Sequence, residues 1–332
     1  MRIRSSLVAV ASLALAAACS GSEPEAAAES GATMADRVAQ FAPVTLDFDA
    51  SLLDDRQKRV MRLLVEASDH LDAIYRLQVW RGNADPAAVL PDPGTPEAAA
   101  IHDYYELMYG PWDRIAEEEP FVAGVGPKPA GAGSYPEDMT KEEFEEWIGL
   151  NRGDAAAFTS YYTVIERDNG GLRAVPYSQA YVEQLESAAA ALRDAAEHAD
   201  NPSLERFLRL RAESFITDDY FDSDFAWMRL EDNLIDPTIG PYEVYEDGLF
   251  GYKASFESFI GFKDPEASGL LAGLAARLPA LERALPIPDE HKYLDRDFTS
   301  PISVIDLVYG AGETRPGVQT IAFNLPNDAR VR

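Results

Sequence analysis

The chain has 332 residues, of which 29 are basic and 57 are acidic, so its formal net charge at pH 7 is −28. This excess of negative charge argues against nucleic acid as a partner, because binding to phosphates requires basic side chains. The single cysteine excludes an internal disulfide, and the length is sufficient for one large or two medium hydrophobic cores.

Residues 1–18 are typical of an export signal. A basic start with Arg2 and Arg4 is followed by an apolar run that is too short to span a bilayer, and three alanines then precede Cys19. Small residues before a lone cysteine resemble a bacterial lipobox, which predicts that Cys19 is lipidated and anchors the chain in the periplasm or on the cell envelope. The alternative is ordinary secretion after cleavage at an Ala-x-Ala-type site, which would leave a free thiol.

We expect residues 19–40 to comprise a lipidated cysteine and a flexible tether. The segment is rich in Ser, Gly, Glu, Pro and Ala and has few large apolar side chains, so it cannot bury enough surface to become ordered. We therefore expect the folded body to begin near Phe41 and to comprise residues 41–332.

Helices dominate the first part of this body. Apolar residues recur every three or four positions from Leu53 to Trp80, which predicts an amphipathic helix. Thr95 before Pro96 predicts the N-cap of a second helix over residues 95–108. A loop rich in Gly and Pro follows, and it contains bulky residues such as Trp112 that need packing partners.

The middle of the chain predicts both helices and strands. Thr140 and Glu143 have the spacing of a capping box at a helix start. A polar Arg-Asp-Asn-Gly-Gly turn between two apolar runs predicts a β-hairpin over residues 161–176. Further helices are expected over residues 179–199 and 201–215.

Four carboxylates are crowded into the seven residues from Asp218 to Asp224. Such a cluster permits a calcium site, because hard cations prefer carboxylate oxygens. However, the segment lacks the glycine and the closing glutamate of a calcium-binding hand, so we favour a solvated turn that caps a helix.

Seven short segments, taken in order, resemble the dipeptidyl-peptidase III family of zinc peptidases and especially its bacterial zinc-hydrolase relatives. They are Tyr-Gly-Pro-Trp-Asp-Arg (109–114), Tyr-Pro-Glu-Asp-Met-Thr (135–140), Tyr-Thr-Val-Ile (162–165), Ser-Asp-Phe-Ala-Trp (223–227), Gly-Pro-Tyr-Glu-Val-Tyr-Glu-Asp (240–247), Phe-Gly-Tyr-Lys-Ala-Ser-Phe-Glu (250–257) and Ala-Phe-Asn-Leu-Pro-Asn (322–327).

The resemblance implies roles for individual residues. Glu243 would bind the free ammonium of a short peptide, and Tyr245 would act in catalysis by donating to the developing oxyanion. Asn324 and Asn327 would help to hold the peptide's N-terminus, and Glu257 matches a further acid of the substrate cleft. Spacing alone also permits a plainer interpretation, in which Glu243 and Tyr245 are a half-exposed strand pair and the two asparagines belong to a turn.

The resemblance also implies a fold and a cofactor. The expected fold is α+β and mostly helical, forming one lobe of a two-lobed cleft peptidase with a small antiparallel β element. Zinc is expected for the complete family protein, whose His-Glu…His motif follows some tens of residues after the Asn-x-Pro-Asn motif. The sequence ends at Arg332, so we expect the metal-binding segment to be absent from it. The histidines show no helical metal-binding spacing: His70, His102, His198 and His291.

These expectations lead to two hypotheses. The chain is the substrate-binding N-terminal lobe of a dipeptidyl-peptidase III-like metallopeptidase that acts on short peptides and is inactive alone, either because the sequence is truncated or because the protein is a degenerate relative. Alternatively, it is a non-catalytic peptide-binding surface lipoprotein. The sequence leaves the oligomeric state and the substrate length open.

Overall fold

The computed structural model describes residues 33–46, 48–293, 303–328 and 330–331. Cys19 and the predicted export signal therefore lie outside the described residues. The helices are α1 (Met34–Val38), α2 (Asp55–Val79), α3 (Pro96–Met108), α4 (Lys141–Leu150), α5 (Ala155–Phe158), α6 (Tyr177–Ala180), α7 (Val182–His198), α8 (Pro202–Thr217), α9 (Phe221–Trp227), α10 (Pro265–Ala275) and α11 (Leu278–Ala284).

The strands form small antiparallel sheets. They are β1 (Trp112–Asp113), β2 (Glu119–Pro120), β3 (Thr163–Asp168), β4 (Gly171–Pro176), β5 (Ile235–Pro241), β6 (Phe256–Asp264) and β7 (Val304–Gly312). The predicted α+β class, mostly helical with a small antiparallel β element, is confirmed. None of the helices within the described ranges is long and apolar enough to cross a membrane.

Helix α2 is the central element of the fold. Asp54 caps it and makes a reciprocal capping box with Gln57. The apolar positions that predicted the helix are buried, and they pack against α7 on one side and against β6 and β7 on another. Burial of this stripe, rather than helix propensity, accounts for most of the stability of such a helix.

Two further predicted helices pack beside α2. Helix α7 begins at Val182 rather than at Gln179, because residues 177–180 form the separate short helix α6. Helix α8 is capped by the Asn201 side chain, which accepts from the Leu204 amide at 2.9 Å. Its apolar face packs against α7.

The predicted hairpin is formed by β3 and β4. Asn169 and Gly170 occupy its turn with φ angles of +46° and +83°, the left-handed region that Asn and Gly tolerate best. Thr163 pairs with Pro176 at the open end, so the hairpin covers residues 163–176 of the predicted range 161–176.

The three-stranded sheet β5-β6-β7 positions the candidate site. Its strands are antiparallel neighbours, so the end of β5, the start of β6 and the end of β7 meet at one edge. At that edge Glu257 of β6 lies opposite Gly240 of β5 and Gly312 of β7. On the other face, Phe256 and Ile260 belong to the helical core.

The folded body begins earlier than the predicted boundary at Phe41. Helix α1 packs against α3, the Met34 side chain is buried there, and Arg37 forms an ion pair with Asp113 at 2.9 Å. The composition of the preceding residues suggested a tether that reached residue 40. Apolar packing of Met34, Val38 and Phe41, together with the ion pair of Arg37, orders its last part instead.

The predicted capping box at α4 is only half formed. The Thr140 hydroxyl accepts from the Glu143 amide at 3.1 Å, as expected of an N-cap. The Glu143 side chain, however, turns away and forms an ion pair with Arg167 of β3. The Glu143 carboxylate thus pairs with a cation that is distant in the sequence instead of accepting from the backbone amide of Thr140.

The acidic residues from Asp218 to Asp224 do not converge on a common point. Asp224 is buried and forms an ion pair with Arg211 at 2.5 Å, whereas Asp218 accepts from the backbone and hydroxyl of Ser178. The calcium alternative is therefore not supported. The favoured solvated turn is also only partly right, because Asp224 is an interior residue.

Candidate functional site

Three glutamates lie at the edge of the β5-β6-β7 sheet where its strand ends meet. Glu243 follows β5, Glu257 is the second residue of β6, and Glu313 follows β7 directly. The Glu313 amide donates to the Phe256 carbonyl at 3.1 Å, which fixes its backbone beside the start of β6. We call these three residues the acidic edge.

The electrostatics of the acidic edge are unusual for carboxylates. The Glu257 side chain is buried, with an exposed fraction of only 3 %, and burial, followed by the charges of Glu313 and Glu243, raises its pKa well above the usual value. Burial and then the charge of Glu246 raise the pKa of Glu313 to about 8, while Arg114 opposes the shift.

Glu257, which is buried, and Glu313, which is half-buried, each have one buried carboxylate oxygen that lacks a hydrogen-bond partner among the described residues. These atoms are Oε1 of Glu257 and Oε2 of Glu313. A buried polar atom without a partner is destabilising, and in native structures it commonly marks a place where a water, an ion or a ligand binds. These oxygens would accept a hydrogen bond from a cationic donor more favourably than from a neutral one.

Glu243 and Asn327, to which the resemblance assigns roles at a peptide's N-terminus, lie in contact. The Asn327 amide donates to Glu243 Oε2 at 3.2 Å and to the Tyr242 carbonyl at 3.1 Å. This contact joins the loop after β5 to the C-terminal segment of the chain, across 84 residues of sequence. Glu243 and Asn327 therefore line one common surface.

Tyr245 lies beside Glu243, but not on a strand. β5 ends at Pro241, and its pairing continues only to Glu243, whose carbonyl accepts from the Ser255 amide at 2.7 Å. The chain then turns, which leaves 79 % of Tyr245 exposed. The alternative interpretation of Glu243 and Tyr245 as a half-exposed strand pair is therefore wrong. The negative charge of Glu243 raises the pKa of Tyr245. The hydroxyl therefore stays protonated and can donate a hydrogen bond.

Asn324 lies on a neighbouring cavity of about 510 Å³ between the sheet and the C-terminal segment. Phe259 and Phe323 form part of its wall, with their ring centres 4.5 Å apart. Since side chains alternate along a strand, Phe259 and Glu257 of β6 face the same side of the sheet. The cavity and the acidic edge therefore adjoin along one face.

A buried ion network supports the loop that carries Glu243 and Tyr245. Glu246 is buried, accepts from Arg114 at 2.9 Å and from the Tyr75 hydroxyl at 2.8 Å, and forms an ion pair with Lys128 at 2.5 Å. Burial alone would raise the pKa of Glu246, but the charges of Arg114 and Lys128 outweigh it and lower the pKa to about 2. The network holds the loop against the helical core.

Sequence reasoning missed several of these residues. Arg114 and Glu246 lie inside two of the quoted segments, so their presence was noted but their partnership was not. Glu313 had no local signal, because its position depends on the register of β7 with β6.

The described part of the chain offers no cluster of three or more His, Cys, Asp or Glu side chains that could hold a metal ion. The acidic edge therefore does not fit a zinc ion, and the described histidines are not gathered at it.

Comparisons with known proteins agree with this picture. The sequence pattern of peptidase family M49 matches residues 166–332. Nudix hydrolase 3 of Arabidopsis thaliana is 33 % identical over 345 residues, covering 88 % of this chain and 44 % of that protein.

Two solved structures are similar over most of the chain. Dipeptidyl-peptidase III from Caldithrix abyssi is 49 % identical, with a TM-score of 0.85 over 89 % of this chain and 56 % of the other. Dipeptidyl-peptidase III from Corallococcus sp. strain EGB is 40 % identical, with a TM-score of 0.82 over 90 % of this chain and 56 % of the other.

The chain thus spans about half the length of these relatives, which fits the prediction of one lobe of a larger peptidase fold. The family pattern covers half of the sequence, and the structural likeness covers most of the described body. The chain belongs to peptidase family M49 and is of the dipeptidyl-peptidase III type.

Proposed function

We propose that this chain supplies the peptide-binding part of a dipeptidyl-peptidase III-like hydrolase and holds the free ammonium of a short peptide at its acidic edge. The observation that carries the proposal is the buried Glu257 carboxylate, whose Oε1 has no partner among the described residues. A peptide ammonium has three N–H donors and a positive charge, so it matches this acceptor in both respects.

The other residues of the site complete this arrangement. Glu243 offers a second carboxylate, and Asn327 holds it in place. The Tyr245 hydroxyl is exposed and protonated, so it is available as a donor to a substrate carbonyl. Asn324 and the adjoining cavity would accommodate the next part of the peptide, whose side chain would contact Phe259.

Peptidase family M49 is a family of zinc metallopeptidases. When bound in such an enzyme, zinc supplies an activated water for hydrolysis. The described residues of this chain provide no matching ligand set, so we assign them to binding and orienting the peptide only.

Replacing Glu243 by Gln should weaken binding of a free-amine tetrapeptide while leaving its N-acetylated form almost unaffected. The reason is that the variant removes a carboxylate that would accept from the ammonium, an interaction worth about 1.5–3 kcal/mol or roughly ten- to a hundredfold in affinity. Titration calorimetry with both peptides measures the difference.

The matched control is Glu142→Gln, which removes an exposed carboxylate on α4. It should leave both affinities unchanged. An equal loss for the free and the acetylated peptide in Glu243→Gln would mean that Glu243 only stabilises the local fold through Asn327, and its assignment to the ammonium site would be abandoned.

We also propose that the chain is exported and anchored to a membrane through a lipid on Cys19. The proposal rests on the signal-like residues 1–18 and the alanines before the cysteine. Several acyl chains on one cysteine give stable membrane binding, whereas one chain alone binds weakly.

Cys19→Ala should therefore move the protein from the membrane fraction to the soluble fraction of the expressing bacterium. Cys19→Ser serves as a second variant, because it keeps the size and polarity of the side chain but removes the thiol. Unchanged fractionation of both variants would contradict anchoring through Cys19.

A further inference from the structure

We propose that Glu257 and Glu313 form a carboxyl pair that shares a proton when the site is empty and releases it to solvent when a peptide ammonium binds. This inference deepens the proposed function and rests on it. It adds Glu313 to the ammonium site as a third carboxylate, and it makes peptide binding a proton-releasing event.

The geometry places the two residues next to each other at the edge of the sheet. Glu257 pairs with Gly312 across β6 and β7, and Glu313 is the next residue along the chain. The hydrogen bond from the Glu313 amide to the Phe256 carbonyl holds both backbones at this spacing. Their oxygens Glu257 Oε1 and Glu313 Oε2 are both buried without a partner among the described residues.

No described cation is available to neutralise the pair. Arg114 is bound by Glu246, the Tyr75 hydroxyl and the Met108 carbonyl, and Lys128 is bound by Glu118 and Glu246. The charged and titratable groups that face Glu313 are otherwise acidic or phenolic: Tyr75 of α2, Glu243, Tyr245 and Glu246 of the loop after β5, and Glu257 of β6.

Protonation resolves this excess of negative charge. Two carboxylates that share a buried site cannot both be ionised cheaply, so one of them keeps a proton. The raised pKa values agree with this arrangement: burial is the first cause for both residues, followed by the charge of Glu313 for Glu257 and by the charge of Glu246 for Glu313. An arriving ammonium supplies the positive charge instead, so both groups ionise and the proton passes to the buffer.

The test is calorimetry of the full chain with a free-amine tetrapeptide at pH 7, repeated in buffers of different ionisation enthalpy. The dependence of the observed enthalpy on the buffer gives the number of protons released. For the unmodified protein we expect on the order of one proton per peptide.

Glu313→Gln should lower the number of released protons by at least half and weaken the affinity about tenfold. The Gln amide can donate to the Glu257 carboxylate, so Glu257 is ionised before the peptide arrives. Glu142→Gln is again the exposed control and should change neither quantity. Thermal unfolding at pH 7 should show Glu313→Gln to be about as stable as the unmodified protein, because the empty site carries one negative charge in both.

The outcomes separate this inference from the proposed function. If Glu313→Gln releases as many protons as the unmodified protein, whereas Glu257→Gln no longer distinguishes free from acetylated peptide, the shared-proton pair is wrong and the ammonium site stands. If the unmodified protein binds both peptides equally, the proposed function fails, and this inference fails with it.

Discussion

Glu246→Gln is expected to destabilise the fold by about 3–5 kcal/mol, the usual result of removing one partner from a buried ion pair. Glu246 is the anionic partner of both Arg114 and Lys128, and it also accepts from the Tyr75 hydroxyl. The Gln side chain keeps the shape but leaves two partly buried cations without this counter-charge. The loop that carries Glu243 and Tyr245 would lose its attachment to the core.

Urea unfolding at pH 7 measures this loss. The matched control is Glu205→Gln, which breaks the exposed Glu205–Arg209 pair of α8 and should change the free energy of unfolding by about 0.5 kcal/mol or less. Equal effects of the two variants would show that the buried network does not hold the loop.

The same network predicts an acid dependence. The pKa of Glu246 is lowered in the folded state to about 2, so its stabilisation is complete above the ordinary glutamate pKa near 4.5 and is lost as the pH falls toward 2. Between these values the free energy of unfolding should decline less steeply in Glu246→Gln than in the unmodified protein.

The helices were predictable because their signals are local. The apolar repeat of α2 and the N-cap of α3 at Thr95 each depend on residues within a few positions, and so does the turn of the β3–β4 hairpin. Helix α1 was missed since its order depends on packing against α3 and on Asp113, 76 residues away from Arg37.

The site was only partly predictable for the same reason. Quoted segments contained Glu243 and Asn327, and the structure brings them into contact. The alternative of a strand pair of Glu243 and Tyr245 failed because β5 ends at Pro241 and the chain turns after Glu243. Glu313 carries no local pattern at all, and only the pairing of β7 with β6 places it beside Glu257.

The glutamates of this region have two opposite kinds of surroundings, and the difference distinguishes structural residues from residues of the candidate site. Glu246 forms ion pairs with two cations, and its pKa is lowered, as expected of a structural group. Glu257 and Glu313 form no ion pair with a described cation, and their pKa values are raised. This combination reduces stability and is typical of sites that bind or react. The first kind holds the loop in place, and the second kind is the one that we propose binds the ligand.

Gly312→Ala is expected to destabilise the fold by at least about 3 kcal/mol and to weaken binding of the free-amine tetrapeptide. Gly312 has a φ angle of +69°, which an alanine adopts only with strain. A Cβ atom there would lie 2.1 Å from the Phe256 carbonyl oxygen and 2.9 Å from the Glu257 Cα. The last residue of β7 would have to move away from β6, and Glu313 would move with it.

Urea unfolding and peptide calorimetry on the same variant measure both effects. Gly273→Ala is the matched control, because Gly273 lies on the exposed side of α10 with no atom within 4 Å of an added Cβ. An alanine inside a helix is favoured by about 1 kcal/mol over glycine, so this variant should be unchanged or slightly more stable and should bind normally. Gly312→Ala could instead prove as stable as Gly273→Ala and bind the peptide equally well. That result would show that the close approach of β7 to β6 does not position Glu313 beside Glu257.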